Sequence, residues 1–218
     1  MSLLKINNLH TYFETEEGLV KAIRGISFTV EKGKTLGIIG ESGSGKSQNA
    51  LSILQLFDEN QKIHQGEIIF DGQIISAYNE KQMQKIRGNE IAMIFQDASA
   101  SLNPAFNIKD QIKEVLLLHQ DISSQEAEQK TKDILEKVKI TNVERVMNSF
   151  PHQLSGGMNQ RVMIAMGLVC QPKILIADEA TTALDVLVQQ EILKLLMDLQ
   201  KEFKTTILFI THDLGAVS

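Results

Sequence analysis

Gly40–Ser47 reads GESGSGKS, and everything else in the chain is read outward from it. Its spacing is G-x-x-x-x-G-K-[ST]. An apolar run, Thr35–Ile39 (TLGII), precedes it, and a helical pattern from about Lys46 to Phe57 follows. A strand that ends in a glycine-rich turn and opens a helix is a cradle for phosphate. Gly43 and Gly45 let the main chain approach phosphate oxygens with no side chain between them. The amides from Gly40, Glu41 and Ser42 through Ser44 to the helix start at Gln48 then point at the anion. Lys46 brings an ammonium to the β- and γ-phosphates, and the Ser47 hydroxyl suits Mg²⁺.

A second stretch completes the chemistry. IADEATTALD, residues 176–185, sets two acids side by side at the end of an apolar run. Burying adjacent carboxylates is costly unless a cation or a hydrogen-bond donor meets them. With a phosphate loop upstream, Asp178 is expected to hold Mg²⁺ beside Ser47. Glu179, one residue on, points elsewhere and suits the role of polarising an attacking water. Two more strand ends carry polar groups. His212 closes TTILFITH, where an imidazole reaches toward the γ-phosphate. Gln96 closes IAMIFQ, where its amide suits Mg²⁺ or water.

Between these points the organisation is that of one α/β domain. Residues 3–30 alternate as strands. GEIIFDGQII reads as a hairpin turning at Asp71–Gly72. From about Ile108 to Met147 the chain turns helical and charged. Ser155 then opens a helix, a strand covers 173–178, a helix runs from about 186 to 203, and TTILFI is the last strand. Strands alternating with helices at both ends imply a parallel sheet with helices around it. The 218 residues are 43% apolar and 22% charged, enough for a sizeable core. A net charge of −5 gives no general attraction to nucleic acid. Lone Cys170 excludes an internal disulfide and a cysteine metal cluster, and fits a reducing compartment. No run of 18 apolar residues spans a membrane.

LSGGMNQR, Leu154–Arg161, joins the motifs together. With the phosphate loop, IADE, Gln96 and His212, it resembles the ATP-binding subunit of ABC transporters over essentially the whole chain. The resemblance implies a phosphate-loop nucleotide-hydrolase fold: a parallel core sheet, an N-terminal antiparallel β subdomain and an inserted helical subdomain. Residues 1–96 and 154–218 would form the β subdomain and core, and about 97–153 the helical subdomain. It implies ATP and Mg²⁺ as ligands. It also implies a second such subunit whose Ser155, Gly156 and Gly157 reach the γ-phosphate across a dimer interface. A helix N-terminus without its own lysine fits a site completed in trans. Ala183–Asp185 matches the family's interface loop. Phe13 matches the aromatic that stacks on adenine, with Tyr12, on the opposite strand face, as the other candidate.

GESGSGKS, FQDASASLNP, PHQLSGGMNQRVMIAM and THDLG are similar to oligopeptide, dipeptide and metal-chelate importer ATPases. That similarity implies two membrane permease subunits, an extracytoplasmic solute-binding protein and a place on the cytoplasmic face of the membrane. Two departures stand out: Ala180 and Ala98 occupy positions where that subfamily usually has proline. Family members also continue past THDLG with further strands, so the chain reads as the domain without its C-terminal part and with an exposed sheet edge. A non-transport ABC ATPase is the alternative. The repair type carries a long coiled coil between phosphate loop and LSGG, whereas Ser155 lies only 109 positions after Lys46 without sustained heptads. The translation type has two cassettes per chain. A non-hydrolysing regulatory module is disfavoured by Glu179 and His212.

Overall fold

The structure, a computed structural model, describes residues 2–181 and 185–212. Two sheets pack across one of the chain's two cores. The outer sheet is antiparallel. Strands β1 (Ser2–Thr15) and β2 (Gly18–Glu31) form a hairpin, and the parallel sheet begins with β3 (Thr35–Ile39), which feeds helix α1 (Lys46–Leu54). The outer sheet resumes with β4 (Gln61–Phe70) and β5 (Gln73–Ile74), giving the order β2-β1-β4-β5. The β4–β5 turn is the expected Asp71–Gly72 pair, with φ of 48° and 82°. Left-handed dihedrals at both positions are what a two-residue hairpin turn with this twist requires.

The inner sheet is wholly parallel among the described residues. Helix α2 (Glu80–Ile86) leads to β6 (Ile91–Ile94), and β7 (Ile174–Asp178) and β8 (Thr206–Thr211) complete the order β3-β8-β7-β6. Between β6 and β7 run α3 (Ala98–Ser101), α4 (Ile108–His119), α5 (Ser124–Lys137), α6 (Val143–Met147) and α7 (Gly156–Leu168). Helix α8 (Val186–Phe203) returns the chain from β7 to β8.

Period-two alternation splits the buried strands between two cores. Ile174, Ile176, Leu208 and Ile210 pack with Ala50, Ile53 and Leu54 of α1 and with Leu4, Ile6 and Ile68 of the outer sheet. Leu175, Ala177, Ile207 and Phe209 face the other way, into the core built by α3–α8. Every residue of β7 and β8 is buried, as expected for interior strands of a parallel sheet. Strand β3 differs. It is an outer strand among the described residues, and Ile39 is 42% exposed.

Two C-terminal ends fall short of the sequence reading. Helix α1 stops at Leu54 and not Phe57, because Gln55 turns left-handed (φ 49°) and its N–H returns to Leu51 and Ser52 carbonyls. Strand β6 stops at Ile94, which leaves Gln96 two residues beyond it.

Candidate functional site

The site lies along the C-terminal ends of adjacent parallel strands, where open α/β sheets bind ligands. The phosphate loop leaves β3, His212 follows β8, and the two acids close β7. The strand order places β8 between the other two, so three distant segments meet through register alone.

Lys46 is 8% exposed. Its ammonium donates to the carbonyls of Gly40 (2.7 Å) and Glu41 (2.8 Å). It also lies 4.0 Å from Glu179 Oε1. Glu179 Oε2 is 3.2 Å from His212 Nδ1. One carboxylate thus faces both a lysine and an imidazole. Glu179 holds a left-handed backbone (φ 47°), which costs a non-glycine residue of order 1–3 kcal/mol. Its N–H donates to Ile210 O at 2.9 Å, so the neighbouring strand holds the turn that aims it.

Asp178 is 6% exposed and hydrogen-bonded to the Ser47 hydroxyl. Burial pushes its carboxyl above the usual range and the Glu179 charge adds to that, against the Ser47 bond and Lys46, which lower it. Its Oδ1 is buried with no hydrogen-bond partner among the described residues. A buried, orphaned carboxylate oxygen beside a serine hydroxyl fits a hard divalent cation such as Mg²⁺, which takes one or two protein oxygens and completes its shell with phosphate and water. No cluster of three or more His, Cys, Asp or Glu side chains able to hold a metal occurs among the described residues.

The glycines of the loop serve different needs. Gly43 (φ 80°) has open space where a Cβ would sit, so its dihedral alone demands glycine. Gly45 (φ 92°) would place a Cβ 2.8 Å from the Ala22 carbonyl. Ala22 is the unpaired residue of a bulge in β2: Lys21 and Ile23 pair with Tyr12 and Thr11 and leave Ala22 over. The outer sheet therefore presses directly on the phosphate loop, a contact invisible in the linear motif. A cavity of about 400 Å³ lies between β2 and the loop, lined in part by Arg24, Ile38, Ser44 and Asn49.

Phe13 pairs with Gln61 across β1 and β4, and so shares a face with Gln61 and Thr11. That face meets α1, because Thr11 bonds Ser52 and Gln61 bonds Gln48. Tyr12 lies on the other face, tilted against His64 with centroids 4.5 Å apart and bonded to His10. Of the two aromatics, Phe13 is on the side of the phosphate-loop helix. Glu41, Ser42, Ser44, Ser47 and Gln96 are exposed.

Ser155 caps α7 by accepting from Met158 N–H at 3.3 Å. A Cβ on Gly157 would come within 3.1 Å of Val188 Cγ1, so this glycine also lets the starts of α7 and α8 approach. No hydrogen bond or ion pair among the described residues links Ser155, Gly156 or Gly157 to the Lys46–Asp178–Glu179–His212 group. Ala183 and Leu184 of the expected interface loop lie outside the described residues, whereas Asp185 caps α8 by accepting from Val188 N–H at 3.1 Å.

A phosphate loop, an orphaned carboxylate beside it and a strand-end glutamate–histidine pair define a mononucleotide-binding cassette. The chain belongs to the ABC transporter family, whose model matches residues 23–182. The oligopeptide transport ATP-binding protein AppD of Bacillus subtilis (strain 168) is 48% identical over 218 residues, covering 100% of this chain and 66% of AppD. OppD of the same organism, also an oligopeptide transport ATP-binding protein, is 50% identical over 217 residues, 99% of this chain and 61% of OppD. The chain thus spans a little under two thirds of the length of these curated relatives. Among solved structures, the dimeric post-hydrolysis state of the ATP-binding cassette MJ0796 bound to ADP and Pi superposes with a TM-score of 0.86 at 29% identity, covering 98% of this chain and 90% of that one.

Proposed function

We propose that this chain is the ATP-hydrolysing subunit of an ABC importer for peptides or related solutes. The observation that carries the reading is the single carboxylate, Glu179, held between Lys46 and His212 at the ends of three adjacent strands. A γ-phosphate entering the loop would meet Lys46 and the loop amides, with Glu179 beside the water that attacks in line. Glu179 orients that water and takes its proton; His212 holds Glu179 in place. Ser47, Asp178 and Gln96 would hold Mg²⁺, which supplies charge neutralisation on the phosphates when bound. Phe13 would stack on adenine.

Two such subunits would sandwich two nucleotides, each supplying Ser155, Gly156 and Gly157 to the other's γ-phosphate. The identity to oligopeptide transport ATP-binding proteins supports the peptide class. Residues from about 97 to 153 would act as a helical subdomain facing the membrane partners. A groove of about 330 Å³ supports this. It is lined in part by Leu54, Leu56, Phe95, Leu102, Val115 and Met163, and Phe95 immediately precedes Gln96 in the chain. Phe95 is 40% exposed there. An apolar permease segment seated in it would sense the nucleotide through Gln96. No described helix is long and apolar enough to cross a membrane.

Turnover of Glu179→Gln tests the chemistry. ATP binding should persist while hydrolysis falls by roughly 10²–10⁴. Unchanged hydrolysis would remove Glu179 as the base.

A further inference from the structure

The outer sheet and the phosphate-loop helix are joined by a short row of buried polar side chains that neither the cradle nor the acids require. Gln61 of β4 is 6% exposed and donates its amide to Gln48 Oε1 at 2.7 Å. Thr11 and Ser52 are both fully buried, and their hydroxyls lie 3.0 Å apart. Ser52 donates to the Gln48 carbonyl at 2.7 Å, so Thr11 is the donor to Ser52. Both bridges therefore end on Gln48, the residue after Ser47. Both begin beside Phe13: Thr11 is two residues before it on β1, and Gln61 is its direct cross-strand partner on β4.

We propose that Gln61 is a positioning residue for nucleotide. Through Gln48 it fixes the separation between the aromatic platform at Phe13 and the phosphate cradle at Lys46. The inference rests on the ATP-site reading above. A buried glutamine is costly without partners, and an apolar residue would pack α1 against β4 equally well. The amide pair adds direction: it locks β4, and with it Phe13, in one register along α1. A nucleotide bound at both ends needs that register. A ligand held by its phosphates alone does not.

The test compares ATP with inorganic tripolyphosphate, which fills the cradle and lacks a base. Binding of each to the whole chain is measured by calorimetry, with thermal unfolding followed in parallel. Gln61→Leu should weaken ATP binding about three- to tenfold, the worth of one hydrogen bond, and leave tripolyphosphate binding within about twofold. Gln61→Glu should restore ATP affinity, because Gln48 can turn its amide to donate to the new carboxylate. In Gln48→Leu the further change Gln61→Leu should add nothing. Equal losses for both ligands, additive losses in the double variant, or unchanged ATP affinity in Gln61→Leu would each overturn the proposal. Lys46→Ala separates the two readings: it should abolish binding of both ligands, and retained binding would strike the phosphate-loop assignment itself.

Discussion

At the scale of residues, the site trades folding stability for chemistry. Asp178 and Glu179 are adjacent acids, one buried with an unpaired oxygen and one in a strained turn. Burial raises the Asp178 carboxyl, so the folded chain holds that proton more tightly than the unfolded chain does. The ionised form therefore costs stability once pH rises through the raised value, and the cost disappears as pH falls to the ordinary carboxylate range. Asp178→Asn should raise the melting temperature of the nucleotide-free chain at pH 7–8 and narrow the gap at low pH. The same variant should lose the extra stabilisation that Mg²⁺ adds to ATP; thermal scans with and without chelator read both. The loop and the acids were legible because they are local: strand, glycine spacing, lysine, and two carboxylates at a strand end. Gly45 was legible only by halves. Its glycine character follows from the motif, but the Ala22 carbonyl behind it depends on a bulge in β2 that no spacing announces. Gln61 was invisible for a like reason. Its role comes from a cross-strand register and from a helix 13 residues away in sequence.

At the scale of elements, the strands and helices around the site follow from pattern and caps. Asn107, Ser123, Asn142, Ser155 and Asp185 each accept a main-chain N–H at a helix start. These residues satisfy donors that would otherwise be orphaned, and they mark boundaries that hydrophobic period alone leaves open. Where no such marker exists the reading drifts, as at the end of α1, set by the backbone of Gln55. Helix α3 offers a test of the alanine departures. Ala98 is its first residue: Asp97 caps it by accepting from Ala100 N–H at 3.1 Å, and Leu102 N–H closes on Ala98 O. Proline is tolerated at such a position. Ala98→Pro should stabilise the chain by about 0.4–1 kcal/mol, measured by denaturant unfolding. Phe95, between β6 and α3, is the element-scale test of partner docking. Phe95→Glu should abolish copurification with permease subunits while leaving ATP affinity within about twofold.

At the scale of the whole molecule, the two sheets divide the labour. The parallel sheet aligns Lys46, His212 and the acids, and the antiparallel sheet sets where Phe13 stands. The Ser155 side chain bonds only within its own helix, which is compatible with the second subunit proposed above. With ATP and Mg²⁺, Glu179→Gln should dimerise in light scattering, and adding Ser155→Arg should keep it monomeric while nucleotide still binds. A dimer unaffected by Ser155→Arg would place the interface elsewhere. Strands β3 and β6 each have a neighbour on one side only among the described residues, and of the two β3 bears on the nucleotide. This is also the strand that carries the phosphate loop. Occupancy of that edge and affinity for nucleotide are therefore thermodynamically linked: a polypeptide that pairs with β3 and changes ATP affinity by some factor is itself bound more or less tightly by that same factor when ATP is present.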